Sequence, residues 1–221
     1  MMSVKEITNK QMRRVGAALE RNRIAVHYAE TKAEVPKIVE GLLAEGMKIA
    51  SGGSMSLAEC GVMDLLKSGK YNYLDRSACP PDQVKELYRE AFTADAYLCS
   101  ANAVTENGEI YNVDGNSNRV AAICYGPDRV ILVVGCNKLV RNMDEAVARV
   151  RQIAAPANTV RLDLNAGCRE SGRCVALAKD NAQIGAGCYC ENRICCNYVV
   201  TSYQRFPGRI QVILVGEPLG Y

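Results

Sequence analysis

Six cysteines crowd into residues 168–196: Cys168, Cys174, Cys188, Cys190, Cys195 and Cys196, with Gly167, Gly172, Gly185 and Gly187 among them. Thiolates on short glycine-rich loops suit a tetrahedral zinc ion or an iron–sulfur cluster, since each takes four sulfurs at close range. The spacing is Cys-x5-Cys, a gap of thirteen residues, then Cys-x-Cys-x4-Cys-Cys. That is neither the paired C-x2-C knuckles of a zinc ribbon nor the common ferredoxin run, so density rather than spacing carries the signal. The competing reading is a set of buried thiols with no metal. The chain has 11 Cys and 1 His, and its first residues lack the apolar core of a signal peptide. Reduced thiols or metal ligation are therefore expected over a disulfide framework. His27 lies in the strand-like IAVHY, and one histidine is no material for a His-rich zinc site or a Ser-His-Asp triad. Cys60, Cys79, Cys99, Cys124 and Cys136 stand singly in apolar or helical contexts and read as small core residues.

A second group of chemistry-bearing residues lies in 95–140. Two apolar strands, DAYLCS and RVILVVG, flank a polar, turn-rich insert that carries Asn102, Glu106, Asn118 and Arg119; Asn137 and Lys138 follow the second strand. Arg offers a planar fork to a carboxylate or phosphate and Lys a point charge, so Arg119 and Lys138 are candidate anion binders. The alternative is that Arg119 caps or pairs locally and Lys138 is solvated. Further upstream, MKIASGGSMSLAECGVMDLL reads as strand, glycine-rich loop and helix. Gly52 and Gly53 let a backbone approach a ligand, and Ser54 or Ser56 caps the helix. It is neither a Walker loop nor a dinucleotide fingerprint, and a tight strand-to-helix turn explains it equally well.

These residues need a scaffold. An amphipathic helix is expected over 5–21, with Ile7, Val15 and Leu19 on one side, packed on the sheet, on a partner subunit or on a second copy of the chain. A strand over Ile24–Tyr28 follows, then a capping box of Thr31 and Glu34 opening a helix through Leu43. Tyr71–Leu74 gives a short strand, and Asp82–Thr93 a helix with Leu87 and Phe92 inward. Met143–Ala155 is a helix with Ala146, Val147, Val150 and Ile153 inward, ended by Pro156. Glu106-Asn107-Gly108 marks a hairpin turn. Strands alternating with helices predict an α/β fold: a mainly parallel sheet flanked by helices, with an inserted hairpin. NYVVTS and RIQVILVGE return to that sheet, so residues 165–197 are a Cys-rich excursion from it.

The strings NAVTENGEIYNVDG, NRVA, YGP, RVILVVG and NKLV resemble the LUD domain family, that of the lactate-utilisation protein C subunit. The resemblance runs from about residue 40 to the C-terminus, and Arg193-Ile194-Cys195 is similar to the end of the family's C-terminal cysteine group. Where the family shows Gly before Asn-Arg, this chain has Ser117. The resemblance implies one domain over 1–221, N-terminal helix 1–22 included, with the CoA-transferase-like fold shared by sugar-phosphate isomerases. It also implies that the GGS loop (Gly52, Gly53, Ser54) binds ligand. Thr-Glu-Asn-Gly is similar to a CoA-transferase stretch whose glutamate forms a thioester, which makes Glu106 a candidate nucleophile. The hairpin turn accounts for Asn-Gly on conformational grounds alone.

Three functions follow as expectations. The chain is an iron–sulfur electron-transfer or accessory subunit of lactate-type organic-acid oxidation, with redox partner subunits and an anion-binding cleft. Or it is a free-standing CoA-transferase-like or isomerase-like enzyme with a structural metal, zinc being the alternative to iron–sulfur. Or it is a non-catalytic binding and assembly module. The expected ligand set is Cys168, Cys174, Cys190 and Cys195, with Cys188 and Cys196 in reserve. A net charge of +3, with 27 basic residues dispersed among 24 acidic ones, argues against nucleic acid. Apolar runs as short as VILVV argue against a membrane span, and a cytoplasmic location is expected.

Overall fold

A computed structural model of the chain describes residues 2–178 and 184–221. Its strands are β1 (Ala25–Ala29), β2 (Lys48–Ser51), β3 (Asn72–Tyr73), β4 (Ala96–Cys99), β5 (Ala103–Thr105), β6 (Ile110–Asp114), β7 (Arg129–Gly135), β8 (Leu139–Val140), β9 (Asn197–Thr201) and β10 (Ile210–Val215). Its helices are α1 (Met2–Arg21), α2 (Val35–Leu42), α3 (Met55–Glu59), α4 (Val62–Leu66), α5 (Val84–Glu90), α6 (Asn118–Cys124), α7 (Met143–Arg149), α8 (Ala155–Arg161) and α9 (Gly167–Ser171).

The main sheet has the order β1-β10-β7-β4-β2-β3 and is parallel throughout. RVILVVG and IQVILV read as near-continuous apolar runs because a parallel sheet is covered on both faces. Val130, Leu132 and Val134 of β7, with Val212 and Leu214 of β10, enter one core beside Met12, Val15 and Leu19 of α1 and Ile123 of α6. Ile131, Val133, Ile213 and Val215 enter the other, against Val35 and Val39 of α2 and Leu57, Val62 and Leu66 of α3 and α4. On α1 the buried stripe is thus Met12, Val15, Ala18 and Leu19, and Ile7, expected to share it, is exposed.

The hairpin of β5 and β6 forms where expected, antiparallel, with Gly108 at φ +79 in its turn. It is more than an insert. With β8 and β9 it makes a second sheet, order β8-β5-β6-β9, over a third small core that includes Tyr111, Val140, Ala146 and Val150, so NYVVTS joins this sheet beside β6 and only RIQVILVGE returns to the main one. A Cβ on Gly108 would lie 2.7 Å from the Ala18 carbonyl carbon, so the turn rests directly on α1. The expected capping box does not form: Thr31 makes no side-chain cap, and its hydroxyl instead donates to the Glu34 carboxylate at 3.1 Å, which also accepts from the Glu30 N–H at 3.0 Å.

Other expectations fail in the helices. Phe92 is exposed and Leu87 half-buried; Ala91 is the residue that enters the core there. Pro156 does not end its helix. A wide π turn over Val150–Ala154 joins α7 to α8, and Pro156 falls in the first turn of α8, where its missing N–H costs little. The widened turn also rotates Ile153 outward. Among the described residues no helix is long and apolar enough to cross a membrane.

Candidate functional site

The direction of strand addition reverses between β2 and β4: β3 is added on one side of β2, then β4, β7 and β10 on the other. Ligands bind at the carboxyl ends of strands at such a reversal. A cleft of about 570 Å³ opens there. Gly53, Ser54, Asn102, Asn118, Arg119 and Lys138 all line it, so the sheet brings together residues up to 85 positions apart that the sequence had singled out.

Lys138 follows β7 in a single 3₁₀ turn and is only 3% exposed. Its Nζ donates to Ser56 Oγ at 2.8 Å and to Ser100 Oγ at 3.0 Å. Ser100 follows β4, and Ser56 lies in α3 behind the GGS loop. Burial, then the neighbouring Arg149 and Arg119 charges, lower the Lys138 pKa to about 7. Arg149 is itself buried; its Nε donates to Asn137 O at 2.9 Å and its Nη1 to Asn102 O at 2.7 Å.

Arg119 is a strut. A guanidinium has five N–H groups, and each has a protein acceptor here. Nε faces Asp114 Oδ2 at 3.2 Å; Nη1 donates to Ser100 O at 3.2 Å and Asn112 Oδ1 at 2.6 Å; Nη2 donates to Asn102 Oδ1 at 3.1 Å and Val113 O at 2.7 Å. Its aliphatic stem forms cleft wall, but its fork is engaged within the protein, as the local-pairing reading had it. Gly52 serves that strut. A Cβ there would sit 3.1 Å from both Arg119 Cγ and Cδ, so the absent side chain gives Arg119 its passage. Gly53 has nothing within 4 Å of its Cβ position and faces open space, and Ser54 Oγ accepts from the Leu57 N–H at 3.3 Å as the expected cap.

Asn137 and Glu106 are not in the cleft lining. Asn137 fastens the C-terminus, donating to Gly220 O at 3.0 Å and accepting from the Leu219 N–H at 3.1 Å. Glu106 sits at the hairpin turn and pairs with Arg14 of α1 at 3.1 Å.

Sequence reasoning missed three basic residues of the lining: Arg76, Arg161 and Arg193. With Arg119 they outnumber the two acidic side chains, Asp114 and Glu191, so the cleft is cationic even without Lys138. Arg161 reaches the cleft because α8 continues past Pro156. A Pro in the first turn of a new helical segment was the signal available for it.

Of the six clustered cysteines, Cys168, Cys174, Cys188 and Cys195 line one small cavity of about 20 Å³, and Cys195 also lines the cleft. Cys188 thus takes the wall position expected of Cys190. The Cys190 thiol hydrogen-bonds with that of Cys188, and Cys196 is exposed with its Sγ 3.4 Å from Arg193 O. Arg193 knits the segment, with Nε to Cys195 O at 2.7 Å and Nη1 to Cys188 O at 3.0 Å. Gly187 leaves it room, since a Cβ there would meet the guanidinium at 2.5 Å. Burial first, then the nearby thiols of Cys174, Cys168 and Cys188, push the Cys195 thiol up to about 12. Four converging thiols match the donor set of a zinc or iron–sulfur site. Among the described residues, however, no three Cys, His, Asp or Glu side chains are grouped so as to hold a metal ion. Residues 179–183 of the expected excursion lie outside the described residues.

The parallel sheet, its helix-covered faces and a basic cleft at the reversal of strand order define an α/β protein with a candidate ligand cleft. The chain belongs to the LUD domain family, whose model matches residues 12–215. Its fold is similar to that of a DUF162 family protein from Deinococcus radiodurans, with a TM-score of 0.53 and 18% identity, covering 94% of this chain and 98% of that one. No curated protein matches the chain.

Proposed function

We propose that this LUD-domain protein serves lactate-type organic-acid oxidation, as an electron-transfer or accessory component. In this reading it holds a small carboxylate or phosphate in the cleft and an iron–sulfur cluster beside it. The observation that supports this is the shared wall: Arg193, Ile194 and Cys195 line both the cationic cleft and the four-thiol cavity. Cys168, Cys174, Cys188 and Cys195 would hold the cluster, with Cys190 and Cys196 adjoining. When bound, such a cluster supplies one-electron transfer. The chain's own part is to draw an anion in through Arg76, Arg161 and Arg193, and to order the thiol loops through Arg193.

A second reading rests on size. A cavity of about 20 Å³ matches a single ion better than a multi-iron cluster, which favours zinc and a structural role. Anaerobic purification with iron, sulfide and zinc analysis separates the two. The iron–sulfur reading expects a brown protein that bleaches on reduction, losing iron in Cys195→Ser but not in Cys60→Ser. Colourless protein with one equivalent of zinc removes the electron-transfer role; protein with no iron, sulfide or zinc removes the metal altogether.

A further inference from the structure

Lys138 is placed as a reactive amine rather than as a cation. Ser56 Oγ and Ser100 Oγ both accept from its Nζ, and both hydroxyl protons are directed elsewhere: Ser56 donates to Leu219 O at 3.2 Å and Ser100 to Ala101 O at 3.3 Å. A neutral amine has two N–H groups and a lone pair, and an ammonium has three N–H groups and none. The two serine acceptors match the neutral form's donors, and the remaining tetrahedral position of Nζ belongs to the lone pair. Lys138 and Ser100 both line the cleft, so a ligand held there lies beside the amine.

The charges around Nζ point the same way. Arg149 and Arg119 disfavour the protonated form, while Glu59 and Cys99 oppose them more weakly. Among the described residues no carboxylate forms an ion pair with Lys138. An amine whose neutral form is well populated near pH 7, held by two hydrogen bonds and buried, is an activated nucleophile.

We propose that Lys138 condenses with the carbonyl group of a small 2-oxo acid bound in the cleft, forming a Schiff base. The proposal rests on the reading of the cleft as an anion site and names the ligand class. The Nζ lone pair attacks the carbonyl carbon and a C–N bond forms. One amine proton passes to the former carbonyl oxygen, giving a carbinolamine. The hydroxyl takes a second proton from solvent in the cleft and its C–O bond breaks, releasing water as the nitrogen lone pair forms C=N, so the product is a protonated iminium. The carboxylate of the ligand stands against the iminium charge, a compensation the protein's own side chains do not provide at this point. The basic residues Arg76 and Arg161 on the cleft wall fit the carboxylate end.

The test uses the full chain with pyruvate as probe and cyanoborohydride as the hydride donor that reduces the iminium to a stable secondary amine. The expected result is a mass gain of one reduced ligand per chain, mapped by peptide mass spectrometry to Lys138. Propionate, which has the carboxylate and no carbonyl, should give no gain. Lys138→Met, with folding checked by circular dichroism, should lose the adduct. Calorimetry of pyruvate and propionate binding without reductant runs in parallel. Binding with no adduct, or an adduct confined to other lysines, overturns the Schiff-base role and leaves the anion cleft standing. Neither binding nor adduct overturns both. The wild-type mapping stands by itself if the variant does not fold.

Discussion

Arg119 Nε lies 3.2 Å from Asp114 Oδ2, and the chain between them turns back through Ser117 in the left-handed region at φ +67. Asp114 Oδ1 meanwhile accepts from the N–H groups of Asn116 at 3.1 Å and Ser117 at 2.9 Å. One carboxylate thus fixes the turn with one oxygen and the guanidinium with the other. The guanidinium in turn ties Ser100, Asn102, Asn112 and Val113 together under the cleft.

Arg119→Ala should therefore act on the fold before it acts on any ligand. It leaves Asp114 buried without its ion partner and strips several acceptors of their donor, and breaking a buried pair in this way costs about 3–5 kcal/mol. Urea denaturation should show the midpoint falling by a corresponding amount. A variant of wild-type stability with weakened ligand binding would show instead that the fork is free for ligand.

Ser117→Gly should stabilise the protein. A residue with a Cβ pays about 1–2 kcal/mol in the left-handed region, partly offset by the extra freedom glycine brings to the unfolded chain. A net gain of about 0.5–1 kcal/mol is expected, visible as a rise in Tm. No gain, or a loss, would mean that the serine side chain supports the turn.

Lys138 should make stability depend on pH in a defined sense. Its folded pKa, about 7, lies below the ordinary 10.5. Between those values the unfolded chain binds more protons than the folded one, so stability rises with pH across that window. Below about pH 7 the penalty is at its full value, and above about 10.5 it vanishes. Lys138→Met removes it and leaves both serine hydroxyls with their carbonyl acceptors. The variant should be the more stable protein at pH 6, by a few kcal/mol, with the difference shrinking toward pH 10.5. Paired thermal melts across that range check this; a constant difference would show that Lys138 is not the group responsible.

Much of this protein was legible in the residues themselves. The apolar runs of β4, β7 and β10, the alternation with helices and the Glu106-Asn107-Gly108 turn are local, because strand burial and glycine conformation depend on neighbours in the chain. The GGS loop, Arg119, Lys138 and the crowded cysteines announced themselves by type and spacing. What each of them does was decided only by tertiary structure. Arg119 and Lys138 read alike as cations, yet the first meets Asp114 and a ring of carbonyl and amide oxygens, while the second meets two serines whose protons are already committed. Those partners come from α3, β6 and the segment after β4, which no spacing rule relates. Pro156 shows the same limit: a local rule ended the helix, but a widened turn carried it on and delivered Arg161 to the cleft. The choice of Cys188 over Cys190 on the thiol cavity also arose from packing, through Arg193 and Gly187. Side-chain type is a local property and sets what chemistry is available; protonation state, free donors and shared walls depend on which distant atoms the fold brings within about 3 Å.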